Sequence, residues 1–112
     1  MFPQLSQFDL HHRIAEDPAP TIVFFGSNAC SSCRHLHEIL KLVHQRRPNW
    51  LVYEVDAQAE MGLTREFEVF HLPAMFLFKQ GNFHCEISCD ASPAAVEAAV
   101  TAAMRQPAQE AP

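Results

Sequence analysis

Glycine is scarce: the 112-residue chain has only three, so a collagen-like repeat is excluded at once. Basic residues are also few, 8 Lys and Arg against 13 Asp and Glu for a formal charge of −5. No run of like charge exceeds the pair Arg46-Arg47, so there is no electrostatic footprint for a phosphate backbone and no nucleic acid partner is expected. Long apolar runs are missing too. A strongly apolar run such as Thr21 to Phe25 falls far short of the ~20 residues that span a bilayer, so no membrane partner is expected. The start, Met1 to Asp9, lacks the basic residues and unbroken apolar core of a secretory signal, which leads to the expectation of a cytoplasmic protein. What remains is ordinary globular composition, 48% hydrophobic and 19% charged. A single domain over residues 1–112 follows, with 106–112 expected to fray.

Four Cys and seven His stand out against this background. In a reducing compartment cysteines are poor structural staples, so they are redox-active, metal-binding or simply buried. Their placement depends on the elements. Phe8, Leu10 and Ile14 have loose helical spacing between Ser6 and Glu16, and Asp17-Pro18-Ala19-Pro20 ends that segment. Thr21-Ile22-Val23-Phe24-Phe25 has no polar alternation and reads as a strand covered on both faces. After Gly26-Ser27-Asn28, the residues Cys33, Leu36, Leu40 and Val43 recur at helical steps, giving a helix from Ala29 to about Arg47 that Ser27 or Asn28 can cap.

Trp50 to Val55 is a second buried strand, and Ala59 to Glu68 fits a shorter helix. A strand that begins at Pro73 runs to Lys79, and Gln80-Gly81-Asn82 turns it into an antiparallel partner. That partner alternates Phe83, Cys85 and Ile87 against His84, Glu86 and Ser88. Ser92-Pro93 opens a last helix whose buried stripe is Val96, Ala99, Val100 and Met104. The order α β α β α β β α implies an α/β/α layer sandwich around a mixed sheet.

Cys30-Ser31-Ser32-Cys33 falls between a buried strand and the start of a long helix. A thiolate is the reactive form of cysteine, and the unpaired amides of a helix's first turn stabilise it. Cys30 occupies that position. Cys33, one turn on, is near enough for a disulfide and less accessible.

With these pieces the chain resembles the thioredoxin family from about Ser6 to Arg105. The matching segments are Ile22-Val23-Phe24-Phe25 leading to Cys30-Ser31-Ser32-Cys33-Arg34, then Tyr53-Glu54-Val55-Asp56, then Leu72-Pro73-Ala74 leading to Phe76-Leu77-Phe78-Lys79-Gln80-Gly81. The resemblance implies a thioredoxin fold with a mixed sheet of four or five strands. It implies that Cys30 attacks a substrate disulfide, that Cys33 resolves the mixed disulfide, and that Leu72 and a cis Pro73 dock the substrate segment. No cofactor beyond the redox pair is implied and no metal. The partners are disulfide-containing substrate proteins and a separate disulfide reductase, and a monomer is expected. A second reading is a thioredoxin-fold binding or assembly module with little turnover.

The chain departs from the family in places. Ala29 stands where Trp is usual, Ser31-Ser32 where Gly-Pro is usual, and Phe24 where a buried aspartate usually assists the resolving thiol. Glu54 on the neighbouring strand is the candidate replacement for proton transfer; the plainer reading is an exposed carboxylate at a strand end. Cys89 stands where the family often has Gly beside the groove and is a candidate second thiol, whereas the plainer reading makes Cys85 and Cys89 small buried hydrophobes. In an extended segment the two lie about 13 Å apart, so a bridge between them needs a bend. Zinc held by Cys30, Cys33, Cys85, Cys89 or His84 is a third reading. His35 and His37 can tune the motif, His71 can line the docking groove, and Arg34 can favour a thiolate through its charge.

Overall fold

The computed structural model describes residues 2–14 and 19–112. The chain forms α1 (Leu10–Arg13), β1 (Pro20–Gly26), α2 (Ser31–Arg46), β2 (Leu51–Asp56), α3 (Met61–Glu66), β3 (Ala74–Lys79), β4 (Asn82–Ile87) and α4 (Pro93–Met104). The strands lie in the order β2-β1-β3-β4. β1 pairs parallel with β2, and the other two pairings are antiparallel. The sheet is therefore mixed and has four strands. Gln4 adds a parallel bridge to Glu54 on the outer edge of β2, where Leu5 N donates to Glu54 O and Glu54 N donates to Pro3 O.

Period-2 side-chain alternation divides the sheet's burial between two cores. Ile22 and Phe24 of β1 join Val52, Met75 and Leu77 under α2 and α4. Val23 and Phe25 join Val55, Phe76 and Phe78 on the opposite face with Leu10 of α1 and Leu63 of α3. Every residue of β1 is buried, which explains why its sequence shows no polar alternation. This strand, paired on both sides and buried along its length, delivers the chain to the Cys30–Cys33 motif.

β4 does not alternate as its sequence suggests. Leu77 pairs with Cys85 but Phe78 pairs with Phe83, so His84 is the extra residue of a bulge. Phe83 consequently packs on the second core while Cys85 and Ile87 face the first. His84 is buried rather than solvent-facing, and its Nε2 lies 2.7 Å from the Ala103 carbonyl of α4. An unpaired imidazole at that depth would lose a hydrogen bond to water, and the end of α4 replaces it.

The first helix is shorter than its spacing implies, and Phe8 is 82% exposed instead of contributing to a buried stripe. Residues 15–18, where the proposed end of that helix falls, lie outside the described residues. α3 is also trimmed at both ends relative to Ala59 to Glu68. Residues 106–112 form no helix or strand, although Gln109 N donates to His84 O.

α2 and α4 are joined by a charge cluster as well as by apolar contact. Glu97 of α4 is buried, with Arg46 Nε 3.0 Å from its Oε2 and Arg47 Nε donating to its Oε1 at 2.9 Å. Two guanidinium groups offset the cost of burying one carboxylate, and both stand at the C-terminal end of α2 where the helix dipole favours cations. α4 itself starts as its sequence indicates, with Ser92 Oγ accepting from Ala95 N and proline in the first turn. Among the described residues no helix is long and apolar enough to cross a membrane.

Candidate active site

β1 ends at Gly26, and Ser27 to Ala29 carry the chain to the head of α2. Arg34 Nη1 donates to the Asn28 carbonyl at 2.8 Å and closes this loop. Its guanidinium is thereby given a structural partner close to the motif. The N-cap of α2 is Cys30 itself, not Ser27 or Asn28. Its extended backbone turns the side chain back over the helix, so that Cys33 N donates to Cys30 Sγ at 3.1 Å. Ser32 Oγ lies 3.3 Å from the same sulfur. A backbone amide, a hydroxyl and the positive end of a sixteen-residue helix therefore converge on one atom.

Cys30 and Cys33 are joined by a disulfide, with their Cα atoms 5.1 Å apart. Access differs sharply between the two. Cys30 is partly exposed, whereas Cys33 is 2% exposed and belongs to the core under α2 and α4. Gly26 makes room for the second sulfur. A Cβ on Gly26 would stand 3.2 Å from Cys33 Cβ and 3.0 Å from the Phe24 ring, closer than neighbours normally come. That close approach, and not backbone freedom, gives this scarce glycine its role.

The Leu72-Pro73 peptide is cis, and it leads directly into β3. Pro73 lines a groove of about 190 Å³ together with Ser32, His35, Met75 and Cys89, so Ser32 of the redox motif and the proline share one surface. Leu72 is partly buried against both cores. His71 is exposed and lies outside that lining.

Behind the disulfide is a larger cleft of about 640 Å³, lined by Phe24, Cys33, His37, Glu54 and Asp56 among others. Glu54 is not an exposed strand-end carboxylate: its side chain is 17% exposed, and its Oε1 lies 2.7 Å from His37 Nε2. The His37 partnership has no sequence motif. Its signal is geometric, since His37 follows Cys33 by one helical turn and Glu54 has the same strand parity as the buried Val52.

The remaining cysteines are free and differ from each other. Cys85 is buried and Cys89 is exposed, which corrects the picture of two buried hydrophobes. Burial pushes the Cys85 thiol above its ordinary value. Partial desolvation, and then the Asp90 carboxylate, push Cys89 up as well. Both hold less thiolate at neutral pH than a free cysteine and are weaker nucleophiles for it. Among the described residues no three His, Cys, Asp or Glu side chains are grouped so that they could hold a metal ion.

Comparison with known proteins agrees with this geometry. The family model described as Thioredoxin matches residues 2–102. Thioredoxin X, chloroplastic, of Arabidopsis thaliana is 25% identical over 80 residues, covering 70% of this chain and 44% of that protein. A thioredoxin of Mycoplasmoides gallisepticum is 28% identical over 61 residues, covering 54% of this chain and 61% of that protein. The chain thus spans less than two thirds of either relative's own length. Mitochondrial thioredoxin 3 from Saccharomyces cerevisiae, in its oxidised form, superposes with a TM-score of 0.78 at 20% identity, covering 90% of this chain and 94% of that one. At that identity the likeness is one of fold.

Proposed function

The chain belongs to the thioredoxin family, and on that premise we propose that it is a thiol–disulfide oxidoreductase that reduces protein disulfides through Cys30 and Cys33. The observation that carries this reading is the capped sulfur. Cys30 is the partly exposed cysteine of the pair, and its Sγ receives the Cys33 amide at the head of α2. Negative charge on that atom is stabilised whenever it attacks or leaves as a thiolate.

In the reduced protein the Cys30 thiolate attacks one sulfur of a substrate disulfide. A Cys30–substrate disulfide forms, and the other substrate sulfur leaves and takes a proton from water. Cys33 then gives up its proton and attacks Cys30 Sγ. The Cys30–Cys33 bond forms, the substrate leaves as a dithiol, and two electrons have passed from protein to substrate. Pro73, on the groove that also includes Ser32, is where the substrate's extended segment would lie, with Leu72 beside it. A separate dithiol reductase, in a reducing compartment such as the cytoplasm, would restore the pair.

Turnover of a protein disulfide, with dithiothreitol as electron source, tests the proposal. The expected outcome is reduction well above the rate with dithiothreitol alone. No acceleration, together with partner capture that survives Cys30→Ser, would replace this reading with that of a binding module.

A further inference from the structure

We infer that Glu54, held by His37, accepts the proton of Cys33 during resolution, and that His37 and Glu38 continue the path to solvent. The inference rests on the redox reading above and concerns its second step. Cys33 must become a thiolate to attack, yet it is 2% exposed, and burial disfavours the charged form. β1 supplies no base. Its Phe24, which lines the same cleft as Cys33, carries no titratable group, and its ring crowds the space beside Gly26.

The cleft behind the disulfide supplies one instead. Phe24 pairs in register with Glu54, so the carboxylate enters from the next strand toward the cleft that Cys33 lines. Glu54 Oε2 accepts from Gln4 Nε2 at 2.8 Å. Oε1 is shut off from solvent and lies 2.7 Å from His37 Nε2, but no described donor gives it a well-aligned hydrogen bond. An acceptor is thus left with capacity to take a proton. Two other charged groups that line the cleft have partners of their own. Asp56 Oδ1 accepts the amides of Gln58 and Ala59, and Arg34 is held by the Asn28 carbonyl.

His37 links Glu54 to the surface. Its Nδ1 lies 3.2 Å from Glu38 Oε2, and Glu38 also has Lys41 Nζ at 3.5 Å. Side-chain exposure rises from 17% at Glu54 to 25% at His37 and 64% at Glu38. An imidazole with a carboxylate at each nitrogen can receive a proton on one side and release one on the other. With Gln4 on one oxygen of the Glu54 carboxylate and His37 2.7 Å from the other, His37 is a positioning residue as well as a relay.

In the mixed disulfide the Cys33 proton passes to Glu54 across the cleft. The sulfur's electron pair forms the Cys30–Cys33 bond, and the bond from Cys30 to the substrate breaks with its pair on the substrate sulfur. That sulfur takes a proton from solvent. In the reverse direction, a dithiol reductant attacks Cys30, and Cys33 leaves and regains its proton from the same path.

Stopped-flow reaction of the reduced protein with the disulfide DTNB separates the steps, in a Cys89→Ser background that removes the exposed spare thiol. The first thionitrobenzoate is released by Cys30 and the second by Cys33. For Glu54→Gln the first phase is expected to keep its rate, and the second to slow about a hundredfold near neutral pH and to rise only as hydroxide becomes the base. Glu54→Asp should recover part of the second phase, and His37→Gln should slow that phase alone. An unchanged second phase and pH profile in Glu54→Gln would overturn the relay and leave the redox reading standing. Equal slowing of both phases would give Glu54 a purely structural role and also overturn it. A parent protein that releases no second thionitrobenzoate would overturn the redox reading itself, and the relay with it.

Discussion

Cys33→Ser is expected to stop the protein halfway through its reaction, as a covalent adduct with its substrate. Cys30 remains able to attack, because its amide and hydroxyl partners and its place at the head of α2 are unchanged in kind. What disappears is the second sulfur, which the fold holds one turn away and almost wholly out of solvent. Steady-state reduction of a protein disulfide should fall by about a thousandfold or more, since an outside thiol must replace an intramolecular attack. The adduct should appear by mass spectrometry without reductant and dissolve in dithiothreitol. Cys30→Ser should lose turnover to the same degree and form no adduct. The pair of results assigns the roles; an adduct on Cys33 in the Cys30→Ser protein would reverse them.

Phe25→Ala is the substitution expected to cost most in stability. Phe25 is fully buried in the middle of β1, with ring centroids 5.7 Å from Phe67 and 5.5 Å from Phe76. Those rings continue to Phe78 and Phe83, so β1, β3, β4 and the end of α3 are packed through one aromatic cluster. Removing the ring forfeits its transfer energy and leaves a cavity that rigid neighbours cannot fill, a loss of about 3–5 kcal/mol. Typical total stability is only about 5–15 kcal/mol, so much of the margin goes. Urea denaturation should show a lower midpoint with an unchanged slope. A loss under about 1 kcal/mol would mean that this cluster does not hold the second face of the sheet together.

Much of the architecture can be read from local patterns. β1 declares itself as an apolar run because both of its faces are covered, and α2 through the steps from Cys33 to Leu36, Leu40 and Val43, all of which are buried. The cysteine pair is legible for the same reason, since a strand ending in Gly-Ser-Asn and followed by an amphipathic helix locates it at a helix start. The cis peptide before Pro73 came from resemblance alone, because nothing local in the sequence specifies that isomer.

What was illegible depends on pairing across the fold. Alternation in β4 predicted His84 on the outside, and one bulged residue put it inside against α4. Glu97 looks like an ordinary helical carboxylate until α2 brings Arg46 and Arg47 to it. Glu54 and His37 are seventeen positions apart and meet only because β2 lies beside β1 beneath α2. Cys30 as its own helix cap was missed because Ser and Asn upstream are commoner caps, yet the sulfur's position there is what connects the helix start to the chemistry. Scarce glycine also acquires a meaning, since a side chain at Gly26 would crowd Cys33 and the Phe24 ring.

The central claim is that Cys30 and Cys33 act as one two-electron couple, while Cys85, buried, and Cys89, whose thiol is raised by desolvation and Asp90, stay apart from it. Equilibration against graded reduced and oxidised glutathione, followed by alkylation and mass mapping of all four cysteines, measures this directly. The account predicts a single transition in which Cys30 and Cys33 lose their alkylation together and no Cys85–Cys89 bridge appears. A pair that stays alkylatable at every ratio, or that oxidises one cysteine at a time to glutathione adducts, would contradict it.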